Sequence, residues 1–330
     1  MRVPRFPRSR FLIPFLAALG LILGPLTAHA DAWPSRPLKL IVPFPPGGAA
    51  DAIGRLYADR LAEALKQRVL VENKPGAGTA IAAEAAARAA PDGYTLSLAP
   101  TGQLAILPHL NRALPYDPLK DFAPVTLLAT VPYVIGTSAA AGVASVRDLV
   151  SAARKAPGRL TYSSCGNGTL CHLTGELFRS QTGADLIHVP YKGSAPAITA
   201  LLGGEVDVAF DTLTVLAPQV KAGKVRGLAI TSRQRSALLP EVPTAAEAGL
   251  PGYEVTSWFG LVVPAATPKE IVGRLNETLN RISRLPEVRE RFANQGIEAV
   301  ATSPEAFEKL IRDDHVRWGR IVQSSGATLD

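Results

Sequence analysis

Two glycine-rich stretches have the residue types that bind anions through the backbone. The first, Pro45–Gly48, ends an apolar, β-prone segment at 38–44, and apolar residues at helical spacing follow it. The second, Ser164–Thr169, lies between an apolar segment at 160–163 and a helical pattern at 170–182. A strand, a glycine turn and a helix place unpaired N–H groups at the positive end of the helix dipole, where anions bind. The sequence therefore predicts anion-binding turns; the alternative is that the glycines only reverse the chain.

Four polar residues accompany these turns or follow predicted strands. Asp51 falls in the first helical turn, where the dipole favours a carboxylate, and it either caps the helix or contributes to the site. Thr101 follows the third strand, at the sheet edge where ligands of open α/β sheets bind. His172 either holds the second turn in place or serves as the nearest cation for a ligand. Asp211, at the end of a strand, either binds an amine or a water or caps the next helix.

Motifs of the common catalytic and cofactor-binding sites are missing from the sequence. It contains neither G-x-x-x-x-G-K-[ST] nor G-x-S-x-G. The segments Gly76–Gly78 and Gly166–Gly168 lack the third small residue and the acid of a dinucleotide fingerprint. The histidines have no metal-ligand spacing, and Ser164 with His172 lacks an identifiable orienting acid. We therefore expect no enzymatic activity, no cofactor and no metal.

The predicted elements alternate between strands and helices in two similar runs. The run over 38–99 reads as β-α-β-α-β, and a second run of the same order begins near Leu160. Apolar segments at 125–137 and 255–263 are longer than ordinary strands, so we expect them to cross between lobes. Three helices beyond position 268 each have a proline in the first turn. The predicted fold class is α/β, with two lobes that are each a sheet flanked by helices.

The first thirty residues are typical of an export signal. Four arginines precede an apolar run over Phe11–Leu26, and Ala28–Ala30 is an A-x-A cleavage site. The run is short and contains two prolines, which makes it a poor membrane anchor. Four of the 35 Lys and Arg lie in this segment, so the rest carries 31 basic and 28 acidic residues, a net charge of +3. That balance argues against nucleic-acid binding, and we expect a periplasmic protein cleaved after about Ala30.

The two cysteines, Cys165 and Cys171, lie in and just after the second turn, with five residues between them. This spacing fits neither a zinc ribbon nor a C-x-x-C redox motif. In an oxidising compartment such a pair is a candidate disulfide, and the alternative is two free thiols.

Several stretches, in order along the whole mature chain, resemble one family. The segment W-P-S-R-P-L-K-L-I-V-P-F-P-P-G-G-A-A-D at Trp33–Asp51 resembles the substrate-binding proteins of tripartite tricarboxylate transporters, the Bug family. Further matching stretches are E-N-K-P-G-A-G (72–78), P-D-G-Y-T-L (91–96), Y-S-S-C-G-N-G-T-L-C-H-L-T-G-E-L-F (162–178), V-P-Y-K-G-S-A-P-A (189–197), G-G-E-V-D-V-A-F-D (203–211), L-P-E-V-P-T-A-A-E-A-G (239–249) and W-F-G-L-V-V-P-A-A-T-P (258–268). The chain departs from the family pattern at Cys165 and Cys171.

The resemblance implies a type II periplasmic-binding-protein fold with a ligand between two α/β lobes. Lobe 1 is then expected at 31–130 plus 257–330, and lobe 2 at 131–256. The implied function is capture of a small carboxylate and its delivery to the permease subunits of a tripartite membrane transporter, by a protein that acts as a monomer. The alternatives are a ligand sensor for a signalling partner and an enzyme that acts on a carboxylate.

The resemblance and the residue analysis together predict the binding site. The predicted ligand-binding residues are Phe44, Pro46, Gly47, Gly48, Ala49, Asp51, Thr101, Ser164, Gly166, Asn167, Gly168, Thr169, His172 and Asp211. The turns at 44–51 and 164–169 contain no Lys, Arg or His, so helix N-termini, backbone N–H groups and hydroxyls must neutralise a bound anion. We therefore expect a ligand with one or two carboxylates, with room for an amine or a ring, rather than a highly charged tricarboxylate.

Overall fold

Strands and helices alternate through most of the chain. The computed structural model describes Met1, Pro4 and residues 33–138 and 141–329. The strands are β1 (Leu38–Val42), β2 (Val69–Asn73), β3 (Thr95–Pro100), β4 (Phe122–Ser138), β5 (Leu160–Ser164), β6 (Leu186–Pro190), β7 (Val208–Thr212), β8 (Val225–Ile230), β9 (Thr256–Pro264) and β10 (Glu298–Ala299). The helices are α1 (Ala49–Leu65), α2 (Ala80–Ala87), α3 (Leu107–Leu110), α4 (Val146–Lys155), α5 (Leu170–Thr182), α6 (Ser194–Gly203), α7 (Leu213–Lys221), α8 (Lys269–Ser283), α9 (Pro286–Ala293) and α10 (Pro304–Ser325).

The strands of the described residues form one mixed sheet in the order β2-β1-β3-β9-β4-β7-β5-β6. At one end β1 runs parallel to β2 and β3, and at the other end β5 runs parallel to β6 and β7. The two parallel groups have the same arrangement, because β1 lies between β2 and β3 and β5 lies between β6 and β7. The glycine turns therefore follow equivalent strands, β1 and β5, at their carboxyl ends.

Strands β4 and β9 join the two parallel groups. The first part of β4 pairs antiparallel with β9, and its last part pairs antiparallel with β7 and β8. The register shifts between Ile135 and Gly136 in the pairing with β8, and twice more against β9. Most residues of both strands are buried, in keeping with their apolar sequences. The lobe boundaries near 130 and 257 stay a prediction.

Helix α1 shows how local sequence sets the packing beneath the first turn. Its buried face carries Ile53, Leu56, Tyr57 and Leu61 at helical spacing. Gly54 faces β1, and a Cβ there would lie 2.7 Å from Val42 Cγ2, so only glycine allows this close approach of helix and strand. The close contact fixes where the N-terminus of α1 lies relative to the end of β1.

Several predicted element bounds change in the structure. Asp211 is the penultimate residue of β7, Val208–Thr212, near the strand end where the sequence places it. The second helix of the first run begins with the turn at Ala77–Thr79 in 3-10 geometry and ends at Ala87. Residues Gly102–Ile106 form a π-helical turn that was not predicted. Tertiary packing decides such ends, because a terminal residue has few local hydrogen bonds to hold it.

Arg36–Asp330 forms one compact unit, and Met1–Ser35 is assigned to another. The predicted signal peptide falls almost entirely on residues outside the described ones. Within residues 33–138 and 141–329, no helix combines the length and apolar character that a membrane span requires.

Candidate functional site

Two adjoining cavities lie where the two glycine turns face each other. The inner cavity measures about 40 Å³ and the outer cavity about 650 Å³. Residues common to both form a neck between them: Phe44, Pro45, Thr79, Cys165 and Thr169. The inner cavity is further lined by Gly48, Ala49, Ala50, Pro100, Gly102, Tyr133, Leu170, Cys171, Ser194, Asp211, Thr212, Ser257 and Phe259. Residues from both parallel groups and from β4 and β9 thus enclose one space.

Five helix N-termini open onto the inner cavity. The residues at or next to the N-caps of α1, α2, α5, α6 and α7 all line it. None of these five N-caps makes a side-chain capping bond, whereas Ser145 and Ser303 cap α4 and α10. Uncapped N-termini carry partial positive charge and free N–H donors, so the arrangement favours an anion.

The first turn is fixed by a carboxylate that points away from the cavities. Asp51 accepts hydrogen bonds from Gly47 N (3.3 Å), Arg55 Nε (3.0 Å) and Asn73 Nδ2 (3.0 Å). Burial opposes ionisation of Asp51, but these bonds outweigh it and lower the pKa of the carboxyl below its ordinary value. Asp51 lines neither cavity, which favours the interpretation in which it holds the turn.

The second turn is closed by a disulfide between Cys165 and Cys171. Inside it, the Thr169 hydroxyl donates to the Gly166 carbonyl over 2.6 Å. The following segment is tied to it as well, because Gly193 N donates to the Cys165 carbonyl over 3.2 Å. The disulfide itself lines the inner cavity and forms part of the neck.

Two stacked histidines support the second turn from below. The rings of His172 and His188 lie 4.2 Å apart at an angle of 11°. Gly168 N donates to His172 Nδ1 over 3.3 Å, and the Ser164 hydroxyl lies 2.6 Å from His188 Nε2. Burial lowers the pKa of His172, against the attraction of Glu176, and burial together with the neighbouring His172 lowers the pKa of His188 to about 3.

These histidine contacts favour one of the alternatives that the sequence leaves open for His172. Burial lowers the pKa of His172 and the residue lines neither cavity, which favours the role of holding the second turn in place. Ser164 pairs with His188 instead of His172, and its side chain is 1% exposed and lines neither cavity. A nucleophile needs access to a substrate, so this buried pair is suited to holding the turn.

Asp211 brings a buried carboxyl group to the inner cavity. Its Oδ1 accepts bonds from Ser194 Oγ (3.0 Å) and from the backbone N–H of Thr212 (2.7 Å). Its Oδ2 is buried and has no hydrogen-bond partner among the described residues. Burial raises the pKa of Asp211 to about 6, although the hydrogen bonds from Thr212 and Ser194 oppose the shift. The carboxyl group therefore changes charge close to neutral pH.

The loop after β2 contributes a second buried polar group without a described partner. Four consecutive residues, Gly76–Thr79, have positive φ, with values of 127°, 47°, 61° and 91°. Two of them are not glycine, so the backbone there stores conformational strain. Thr79 is 2% exposed, and its hydroxyl has no hydrogen-bond partner in the described part of the chain. The strained loop thus presents this hydroxyl at the neck.

Residues from the two crossing strands complete the inner cavity. Tyr133 of β4 and both Ser257 and Phe259 of β9 line it. Burial, together with the nearby carboxyl group of Asp211, raises the pKa of Tyr133, so its phenol stays protonated. Sequence reasoning missed these residues, because an apolar strand gives no sign of which side chains face a cavity. The one available signal was that polar Ser257 and Tyr133 interrupt the two crossover segments.

The structure brings seven of the fourteen predicted ligand-binding residues to a cavity. Those that line a cavity are Phe44, Gly48, Ala49, Gly166, Asn167, Thr169 and Asp211, along with both cysteines. Those that line neither cavity are Pro46, Gly47, Asp51, Thr101, Ser164, Gly168 and His172. Thr101 is buried instead against β9, where its hydroxyl accepts from Trp258 N over 2.9 Å. The residues that line neither cavity mainly hold the turns and strand ends in place.

The loops on the two sides of the cavities touch directly. A Cβ on Gly78 would lie 2.5 Å from the Asn167 carbonyl oxygen, and one on Gly193 would lie 3.1 Å from Pro45 Cδ. The Asn167 amide also donates to the Leu329 carbonyl over 3.1 Å. The structure therefore describes a closed arrangement of these loops.

Comparisons with known proteins agree with this geometry. The family model described as the tripartite tricarboxylate transporter family receptor matches residues 53–327. Protein BugT of Bordetella pertussis is 37% identical over 316 residues, which is 96% of each chain. A solved R. palustris protein with adipate is 37% identical, with a TM-score of 0.87 over 90% of this chain and 99% of that chain. MatC of Rhodopseudomonas palustris, solved with bound malate, is 33% identical, with a TM-score of 0.84 over 88% of this chain and 100% of that chain.

Proposed function

Because the chain belongs to the tripartite tricarboxylate transporter receptor family, we propose that it is a periplasmic receptor that binds a small carboxylate and delivers it to a membrane transporter of that type. One observation carries the proposal: five uncapped helix N-termini meet at the inner cavity. Such an arrangement stabilises a carboxylate without any cationic side chain. The relatives solved with adipate and with malate support the ligand class.

The polar groups of the inner cavity define how the carboxylate is held. The Thr79 hydroxyl donates to one carboxylate oxygen, and the N–H groups at the start of α1 and α5 donate to both. Ser257 lines the same space, whereas the hydroxyl protons of Thr169 and Ser194 are already donated to the Gly166 carbonyl and to Asp211. Asp211 faces the carboxylate in its protonated form or accepts a bond from a water or an amine. This set suits one carboxylate end of the ligand.

Ligand binding is coupled to closure of two lobes, 31–130 plus 257–330 and 131–256. Strands β4 and β9 pass between them and act as the hinge. The contacts of Gly78 with Asn167 and of Gly193 with Pro45 belong to the closed state. A bound carboxylate favours this state because it touches groups from both lobes at once.

The protein acts as a monomeric receptor after removal of its signal peptide near Ala30. Membership of the family supports a periplasmic location, where a transporter's permease subunits would accept the ligand from the closed receptor. An enzyme is disfavoured because the Ser164 and His188 pair is buried and faces no cavity. A sensor would need the same closure of the lobes, but its closed state would bind a signalling protein instead of permease subunits.

Isothermal titration calorimetry with adipate, with malate and with the diamides of both acids tests the ligand class. We expect both or one of the acids to bind and neither diamide to do so, because the helix N-termini select a full negative charge. Thr79→Val should weaken binding of the acid roughly tenfold or more, since a charge-assisted hydrogen bond is lost. Equal affinity for an acid and its diamide would contradict the proposal.

Small-angle scattering tests the closure. The radius of gyration should fall when the acid that binds is added at saturation, and Thr79→Val should need a roughly tenfold higher concentration for the same fall. An unchanged radius of gyration in the parent protein would argue against a hinge between lobes.

A further inference from the structure

The outer cavity has a chemical character that differs from that of the inner cavity. It is far larger, about 650 Å³ against about 40 Å³, so a ligand longer than a short acid must extend into it. The neck between them has apolar walls at Phe44, Pro45 and Cys165 and two threonines, Thr79 and Thr169. A chain of methylene groups buries apolar surface against those walls, while the Thr79 hydroxyl bonds the carboxylate of the inner cavity and the Thr169 hydroxyl donates to the Gly166 carbonyl, so neither hydroxyl is left unpaired.

Lys192 is the single charged side chain among the described residues that line the outer cavity. It lies between two residues whose backbones are fixed at the second turn. Tyr191 N donates to the Ser164 carbonyl over 3.1 Å, and Gly193 N donates to the Cys165 carbonyl over 3.2 Å. Gly193 also abuts Pro45 of the first turn, so the Lys192 backbone is held at the entrance of the closed cleft. Its side chain makes no ion pair within the described part of the chain.

The equivalent lysine on the other side is arranged differently. Lys74 comes directly after β2, Lys192 is the second residue after β6, and β2 and β6 occupy opposite edges of the sheet. Lys74 Nζ lies 2.7 Å from Glu72 Oε1, and the residue lines neither cavity. One lysine is thus neutralised by a neighbour, whereas the other faces an open cavity without a described counter-ion.

We propose that Lys192 binds the second carboxylate of an extended dicarboxylate whose first carboxylate occupies the inner cavity. The inference rests on the proposed function and specifies, in addition, the length of the ligand and a second negative charge on it. The ligand then consists of a carboxylate at the helix N-termini, an apolar spacer through the neck and a carboxylate at Lys192. The inference therefore expects a six-carbon diacid to bind more tightly than a four-carbon diacid.

Calorimetry with adipate and hexanoate at low ionic strength tests the pairing, because the two acids differ only in the distal carboxylate. The variants are Lys192→Met, Lys192→Arg and, as the matched control, Lys74→Met. In the parent protein adipate should bind more tightly than hexanoate. Lys192→Met should reduce that preference roughly three- to tenfold, as expected for a partly exposed ion pair, and leave hexanoate unchanged. Lys192→Arg and Lys74→Met should keep the preference.

Each outcome decides the inference. An adipate preference that survives in Lys192→Met, or that falls equally in Lys74→Met, overturns the pairing while the carboxylate receptor stands. Equal binding of adipate and hexanoate by the parent overturns it too. If neither acid binds while malate does, the short diacid is preferred and the extended ligand is wrong. If no carboxylate binds, the proposed function itself fails.

Discussion

The two glycine turns have the same local pattern but are held by different interactions. The first turn is held by electrostatics, because Asp51 connects Gly47 with Arg55 and Asn73. The second turn is held by a covalent bond between Cys165 and Cys171 and by a pair of neutral histidines. Both leave the N-terminus of the next helix uncapped. The comparison shows that the free helix end is the shared functional feature, whereas the means of holding the turn differs.

This difference should appear as different sensitivities of the two turns. An electrostatic anchor responds to salt and to acid, since screening and protonation both weaken it. A disulfide responds to reductant and is indifferent to salt. Four substitution experiments test the contrast, from the largest expected effect to the smallest.

Replacing both cysteines, Cys165→Ala with Cys171→Ala, should have the largest effect on stability. The disulfide closes a loop of about seven residues, so the chain-entropy model gives a loss of about 2 kcal/mol in the free energy of unfolding. Urea unfolding of the parent protein and the double variant measures it. Reductant should lower the stability of the parent to that of the variant and leave the variant unchanged. Two reactive thiols in denatured, unreduced parent protein would contradict the bridge.

The pH dependence of carboxylate binding should follow the protonation of Asp211. Because burial raises its pKa to about 6, the protonated form prevails below that pH, removes a like charge from the cavity and can donate to the ligand. Affinity for a carboxylate should therefore rise roughly tenfold between pH 8 and pH 5. Protonation of Asp211 also stabilises the folded protein. This stabilisation is complete below the pKa that the carboxyl group has in the unfolded chain, and it is lost as the pH rises through about 6.

Titrations at several pH values with Asp211→Asn and Asp51→Asn separate the two acids. Asp211→Asn should make the affinity nearly independent of pH and should keep, at pH 8, the higher affinity that the parent protein has at pH 5. Asp51→Asn should keep the parent's slope, since the pKa of Asp51 is lowered and this group stays ionised in the range. A slope that persists in Asp211→Asn would show that another group takes up the proton.

The electrostatic anchor of the first turn should contribute less than the disulfide. Asp51→Asn should lower the free energy of unfolding by about 1 kcal/mol, a figure reduced for solvent screening because the Arg55 side chain is 50% exposed. The loss should shrink in high salt. Glu84→Gln, which breaks the exposed pair with Arg88, is the matched control and should leave stability nearly unchanged. A salt-independent loss would show that packing of the side chain, rather than its charge, holds the turn.

The smallest effect should distinguish two hydroxyls of the second turn. Thr169→Val removes a hydroxyl that lines both cavities, and it should weaken carboxylate binding roughly threefold. Ser164→Ala should affect affinity less, since that hydroxyl faces His188. Calorimetry at matched pH, with thermal melts to check folding, compares them. Equal losses would indicate that the packing of the whole turn sets the affinity.

Local sequence determined the elements that the site requires. Proline and glycine pairs end β1, and glycines end β5, while helical spacing begins directly afterwards. The order of strands and helices was predictable for the same reason, because each element depends mainly on neighbours along the chain. The family resemblance is confirmed, because the model of the receptor family matches residues 53–327.

Only the tertiary structure decided which side chains face the cavity. Thr79 lines it because a strained loop after β2 turns toward the second turn, and Tyr133 and Ser257 line it because β4 and β9 cross the sheet beside β3 and β7. Ser164 is instead withdrawn to His188, which lies 24 positions away. A sequence pattern repeats over a few residues, whereas these distances depend on how whole strands pair. The pairing of β4 and β9 with their neighbours therefore decides which strand residues complete the site that the turns begin.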